Sequence, residues 1–95
     1  MGTITFKTIF SGGDGRLIIS CNDPDIDLNF TEDDQGPKDL TLAKGHQILS
    51  VKGSAPDGDG GNIALAVTGD IPAEIDQNFG SGDIPTHSII LFVTS

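Results

Sequence analysis

The chain is a series of short apolar runs that alternate with a period of two, each closed by a cluster of Gly, Asp, Asn or Pro. In Ile26-Asp27-Leu28-Asn29-Phe30-Thr31, Ile26, Leu28 and Phe30 share one face and polar residues share the other. That is the pattern of a half-buried strand, because successive side chains on a strand point to opposite sides. The same alternation places Leu49 and Val51 on one face of His46–Lys52, with Ile48, Ser50 and Lys52 on the other. Ile63, Leu65 and Val67 alternate with Ala64, Ala66 and Thr68. Two alanines on that second face suggest that something packs closely there.

The remaining strands follow the same reading. Thr3–Phe10 is rich in β-branched and aromatic residues, and its adjacent Ile9 and Phe10 suggest a bulge near the end. Ser11–Gly15 is a turn, Arg16–Cys21 a second strand, and Leu40 with Leu42 a short fourth. Ile71, Ile75 and Phe79 recur every four residues after Asp70 and Pro72, which suit a helix cap and a first turn. This stretch reads as a short helix or as an irregular crossover. Ser88–Thr94 is a last strand with Ile89, Leu91 and Val93 on one face and Ile90 and Phe92 on the other. It carries no charge and would be an aggregation hazard at a bare edge. It is therefore expected in the middle of a sheet, or at an edge covered by another subunit.

Composition fits many turns. Of 14 acids, 12 are Asp, and there are 13 Gly. Asp suits turns because its short carboxylate bonds nearby backbone, whereas Glu suits helices. At 95 residues the chain is expected to be one domain, residues 1–95. The expected fold is all-β: a small two-layer antiparallel sandwich of about seven short strands, Greek-key or immunoglobulin-like, with a small β-barrel as the alternative. The Cys…Trp…Cys spacing of antibody domains is absent, since Cys21 is the one cysteine and there is no Trp. Cys21 ends an apolar run and reads as a small core residue. Phe30 and Phe79 flank loops, a place that leaves room for partial exposure.

The net charge of −9 argues against nucleic acid and anionic membrane as partners, because no basic patch is available to neutralise phosphates. No apolar run approaches the ~20 residues of a membrane-spanning helix. Met1 runs directly into strand-like residues rather than a secretory leader, which leaves location open: cytoplasmic if the chain is complete, secreted if a leader has been removed.

Two aspartate stretches suit calcium, which takes several oxygen ligands from flexible loops. In Asp57-Gly58-Asp59-Gly60-Gly61-Asn62, the ligands would be Asp57, Asp59 and Asn62. In Asp23-Pro24-Asp25-Ile26-Asp27, they would be Asp23, Asp25 and Asp27. The first departs from an EF-hand loop at Gly61 and at Thr68, where the final Glu would stand. Turn geometry alone also explains both. Were the two loops to meet, a joint site would be more credible. Glu32-Asp33-Asp34 reads as a solvated turn. His46 and His87 lack the further ligands of a zinc site and the nucleophile and orienting acid of a catalytic triad. The glycine run Gly12–Gly15 leads into a strand and lacks the Lys-Ser/Thr of a phosphate loop.

No motif for chemistry stands out, so no enzyme is expected. The leading expectation is a non-enzymatic binding or assembly module, self-associating through strand faces or edges or docking on a larger protein. The alternative is a calcium-dependent module that binds carbohydrate or a surface partner. A small enzyme using a carboxylate or histidine is a third reading.

Overall fold

The computed structural model describes residues 1–22 and 25–95. It contains eight strands in chain order: β1 (Gly2–Ser11), β2 (Arg16–Asn22), β3 (Asp25–Thr31), β4 (Lys38–Leu42), β5 (Gly45–Ala55), β6 (Asn62–Gly69), β7 (Ile75–Gly80) and β8 (Gly82–Val93). They form two four-stranded antiparallel sheets, ordered β4-β1-β6-β7 and β3-β2-β5-β8, packed as a sandwich. Neither sheet closes into a barrel.

The strand order carries an internal symmetry that the residues do not advertise. Of the first four strands, β1 and β4 pair in one sheet, while β2 and β3 pair in the other. Of the second four, β5 and β8 pair in one sheet, while β6 and β7 pair in the other. Exchanging β1–β4 with β5–β8 maps one sheet order onto the other. The two halves are joined within the sheets by β1 against β6 and β2 against β5.

Alternation explains the layers. Ile4, Phe6, Ile63, Leu65 and Val67 of one sheet are buried against Leu17, Ile19, Leu49, Val51 and Leu91 of the other. Their neighbours along each strand face outward. Phe30 and Phe79 are buried in this core rather than partly exposed, because each points inward from its strand. Cys21 is buried and unpaired.

Two sequence expectations are corrected. There is an eighth strand, since residues 75–80 extend against β6 instead of forming a helix. Ile75, Gln77 and Phe79 satisfy a strand's alternation as well as a helix's four-residue spacing. An isolated helix of that length is marginal, whereas pairing satisfies the backbone of β6. Asp70 is not a helix cap: its carboxylate accepts the Thr3 N–H at 2.9 Å, and its carbonyl accepts the Thr94 N–H at 2.9 Å. It thus ties the start of β1 to the end of β8. Second, β1 has no bulge. Its register with β6 runs unbroken from Ile4 to Ser11, and Ile9 simply faces outward.

The acidic turn keeps Asp33 and Asp34 exposed, as expected, while Gln35 just beyond it serves as a strap on β1. β4 covers β1 only as far as Phe6. Beyond it, the Gln35 carbonyl accepts the Thr8 N–H at 2.9 Å and the Thr8 hydroxyl at 3.1 Å, and the Gln35 side-chain oxygen accepts the Phe10 N–H at 3.0 Å. Those bonds satisfy β1 groups, Thr8 being fully buried, that would otherwise lack partners. Glu32 accepts the Gly15 N–H at 3.0 Å, and Asp34 pairs with Lys38 at 2.7 Å.

Candidate functional site

The strongest surface feature is at one end of the outer face of the β3-β2-β5-β8 sheet. β8 lies at the edge of that sheet, the second of the two positions expected for the last strand, and not at its centre. Register puts Ile48 beside Ile90 and His46 beside Phe92. All four point outward, and Ile48, Ile90 and Phe92 are 64%, 62% and 44% exposed. The His46 and Phe92 rings meet edge to face at 5.0 Å. Three large apolar side chains therefore sit together on an uncovered face, beside a strand with one open side.

The four edge strands are not equivalent. β3 presents Asp25 and Asp27, β4 presents Lys38 and Asp39, and β7 presents Asp76. β8 has Asp83 near its start and no Asp, Glu, Lys or Arg from Ile84 to Val93. Charges on an edge strand oppose pairing with another chain, and this edge lacks them along ten residues.

The opposite end of the same outer face is hollowed into an open cleft of about 790 Å³. A register shift makes it. Val51 pairs with His87, but Gly53 pairs with Ile84, so Lys52 faces the two residues Pro85 and Thr86. A proline suits such a bulge because it has no N–H to place in a ladder. The bulge also lets Ile84, at an even position, face the core together with Ile89, Leu91 and Val93 at odd ones. Arg16, Lys52, Asp83, Glu32 and Asp14 all line the cleft. The Gly15 N–H, with the Glu32 backbone and Asp14 adding to it, holds the Glu32 carboxyl below its ordinary value.

The aspartate stretches lie far apart. Cys21 is opposite Leu49 and Arg16 is opposite Ser54, so the end of β2 and the start of β3 lie at the opposite end of the sheet from the loop after β5. The rise of a strand over Leu49–Ala55 separates them by about 20 Å or more. Asp25 and Asp27 are exposed on β3, and Asp57 and Asp59 are exposed in the β5–β6 loop, with Asn62 at the start of β6. Asp23 lies outside the described residues. Asn62 donates its side-chain N–H to Asn78 at 3.2 Å. Among the described residues, no group of three or more His, Cys, Asp or Glu is arranged to hold a metal ion.

What meets the β5–β6 loop is the β1–β2 loop, its counterpart in the other half of the fold. A Cβ on Gly58 would stand 2.8 Å from the Gly12 carbonyl, and one on Gly12 would stand 2.8 Å from the Gly61 backbone. A Cβ on Gly61 would stand 1.8 Å from the Pro56 carbonyl. These glycines let two loop backbones touch, which gives the Gly/Asp run an architectural role.

The histidines are separated. His46 meets Phe92 edge to face, and His87 stands 5.8 Å from the Phe79 ring. Ala64 and Ala66 floor a shallow trough between Lys7, Ile9 and Asp76 on the outer face of the other sheet. Among the described residues no helix is long and apolar enough to cross a membrane. No protein-family model matches the chain, and neither the curated proteins nor the solved structures yield a significant match.

Proposed function

We propose that this domain is a non-enzymatic assembly module that pairs with a second copy of itself along β8. We read each half of the chain as a Greek-key unit, the second ending in this long open strand. The observation that carries the reading is the length of the charge-free stretch on β8, ten consecutive residues from Ile84 to Val93, against four on β3, three on β4 and four on β7. In a chain of net charge −9, two copies repel over most of their surfaces. They can approach along an uncharged strand without like charges opposed.

Antiparallel pairing of β8 with its own copy about a two-fold axis is self-complementary. It would continue the sheet from four strands to eight, satisfy the open backbone groups, and set Ile90 and Phe92 of each copy beside those of the other. One strand and three apolar side chains form a smaller contact than the ~20–30 residues per side of a standard interface. Association should therefore depend on concentration.

Sedimentation equilibrium tests this. The expected result is a mass rising from monomer toward dimer with concentration, weakened by Ile90→Lys, which places a charge on each copy near the pairing axis. Ile90 points outward, so the variant should keep its fold. A monomer mass at every concentration, or a variant that associates as well as the parent, would overturn the proposal.

A further inference from the structure

The cleft at the other end of the same sheet face carries a second, independent inference. It lies across one outward row and part of the next. In the first row, Thr31 pairs with Arg16, Arg16 with Ser54, and Ser54 with Asp83. In the second, Ile18 pairs with Lys52, which faces the Pro85–Thr86 bulge. Arg16 and Lys52 are diagonal neighbours on adjacent strands, close enough for both to reach one group.

The chain has only 5 cationic side chains, and two of them stand together here. Neither is neutralised by an ion pair, since the one such pair among the described residues joins Lys38 to Asp34. Asp83 is likewise without an ion-pair partner. It is two strands away from Arg16 across Ser54, about 10 Å between backbones. Two further acids, Asp14 and Glu32, line the cleft, and the Glu32 carboxylate accepts the Gly15 N–H. The strands thus hold a positive pole and a negative pole apart, on either side of a hollow walled by Pro85 and Thr86 and floored by Ile18. Its size falls within the ~300–1,000 Å³ of small-molecule sites.

We infer that this cleft binds a small zwitterion, a free amino acid or short peptide, with its carboxylate on Arg16 and Lys52 and its ammonium on Asp83. Arg can take a carboxylate in two parallel hydrogen bonds, with Lys adding a point charge. A dianion would be opposed by Asp83, Asp14 and Glu32. A simple cation would be opposed by Arg16 and Lys52. Pairing along β8 leaves the cleft accessible, because the cleft opens on the sheet face and not on its edge.

The test is titration of the ¹⁵N-labelled protein with a panel of the free amino acids and dialanine, followed by amide shifts. The expected result is a saturable shift confined to the amides of Arg16, Lys52–Ser54 and Asp83–Thr86 for at least one probe. N-acetylating that probe removes its ammonium, and esterifying it removes its carboxylate. Each change should weaken binding roughly tenfold or more, as loss of a charge-assisted hydrogen bond implies. Arg16→Gln should act like esterification, and Asp83→Asn should weaken the parent probe while leaving the N-acetyl derivative unchanged. Both positions are exposed, and an unchanged melting temperature would show the fold intact. Absence of any saturable shift across the panel overturns the inference, as does binding that either blocked derivative reproduces in full.

Discussion

Replacing Gly61 by Ala separates an architectural reading of the Gly/Asp loop from a metal-binding one. The added Cβ would lie 1.8 Å from the Pro56 carbonyl oxygen, and the loop cannot yield freely. It is fastened by the Gly61 N–H donated to the Gly58 carbonyl at 3.0 Å, and Gly12 of the opposite loop abuts the Gly61 backbone. Relief of the clash would forfeit that hydrogen bond, worth about 1 kcal/mol, together with the loop–loop packing. We expect a total loss of about 3 kcal/mol, in the range of overpacked sites. For a domain of this size that is roughly 12–24 °C in melting temperature. Gly60→Ala meets no atom within 4 Å but occupies a backbone at φ +74°, so it should cost only about 1 kcal/mol. Asp57→Asn and Asp59→Asn, both exposed, should stay within about 0.5 kcal/mol. Urea unfolding followed by circular dichroism, with equal slopes among the variants, measures all four. A Gly61→Ala loss below about 1 kcal/mol would refute the steric reasoning. Aspartate variants as damaging as Gly61→Ala, or a melting temperature raised by calcium and insensitive to calcium after those replacements, would point instead to a metal.

Two further predictions concern the 32–37 strap. Gln35→Ala removes the side-chain acceptor of the Phe10 N–H while leaving the backbone bonds to Thr8, so it should cost about 1–2 kcal/mol in urea unfolding; no loss would mean water replaces the side chain. Glu32 has its carboxyl held below the ordinary value of 4.5, first by the Gly15 N–H. A depressed carboxyl contributes stability that is present above the unfolded-state value and lost as pH falls through the folded one. Glu32→Gln should therefore flatten the decline of stability below about pH 4.5; an unchanged acid limb would show that this carboxylate does not contribute.

The layers and faces were legible because each buried strand alternates: Leu49 and Val51 are inward and Ile48 outward, as their spacing required. β7 was not, because Ile71, Ile75 and Phe79 fit two periods at once and local pattern cannot choose between them. The edge position of β8 was equally hidden. Its residues read alike in a central or an edge strand, and only sheet order decides. The bulge at Pro85–Thr86, which hollows the cleft, left one signal: Ile84 stands out of phase with Ile89, Leu91 and Val93. The cleft's charges were invisible singly, since Arg16, Lys52 and Asp83 are ordinary surface residues until β2, β5 and β8 set them in adjoining rows. The part played by Gln35 left no local signal, since only the shortness of β4 leaves β1 groups for it to satisfy.

Amide hydrogen exchange along β8 as a function of protein concentration tests the assembly proposal most directly. The amides of β8 that β5 does not bond should exchange freely in dilute solution, become protected as concentration rises, and lose that protection in Ile90→Lys. The edges β3, β4 and β7 should show no such dependence. Exchange at β8 that is equally fast at every concentration would contradict pairing along this strand.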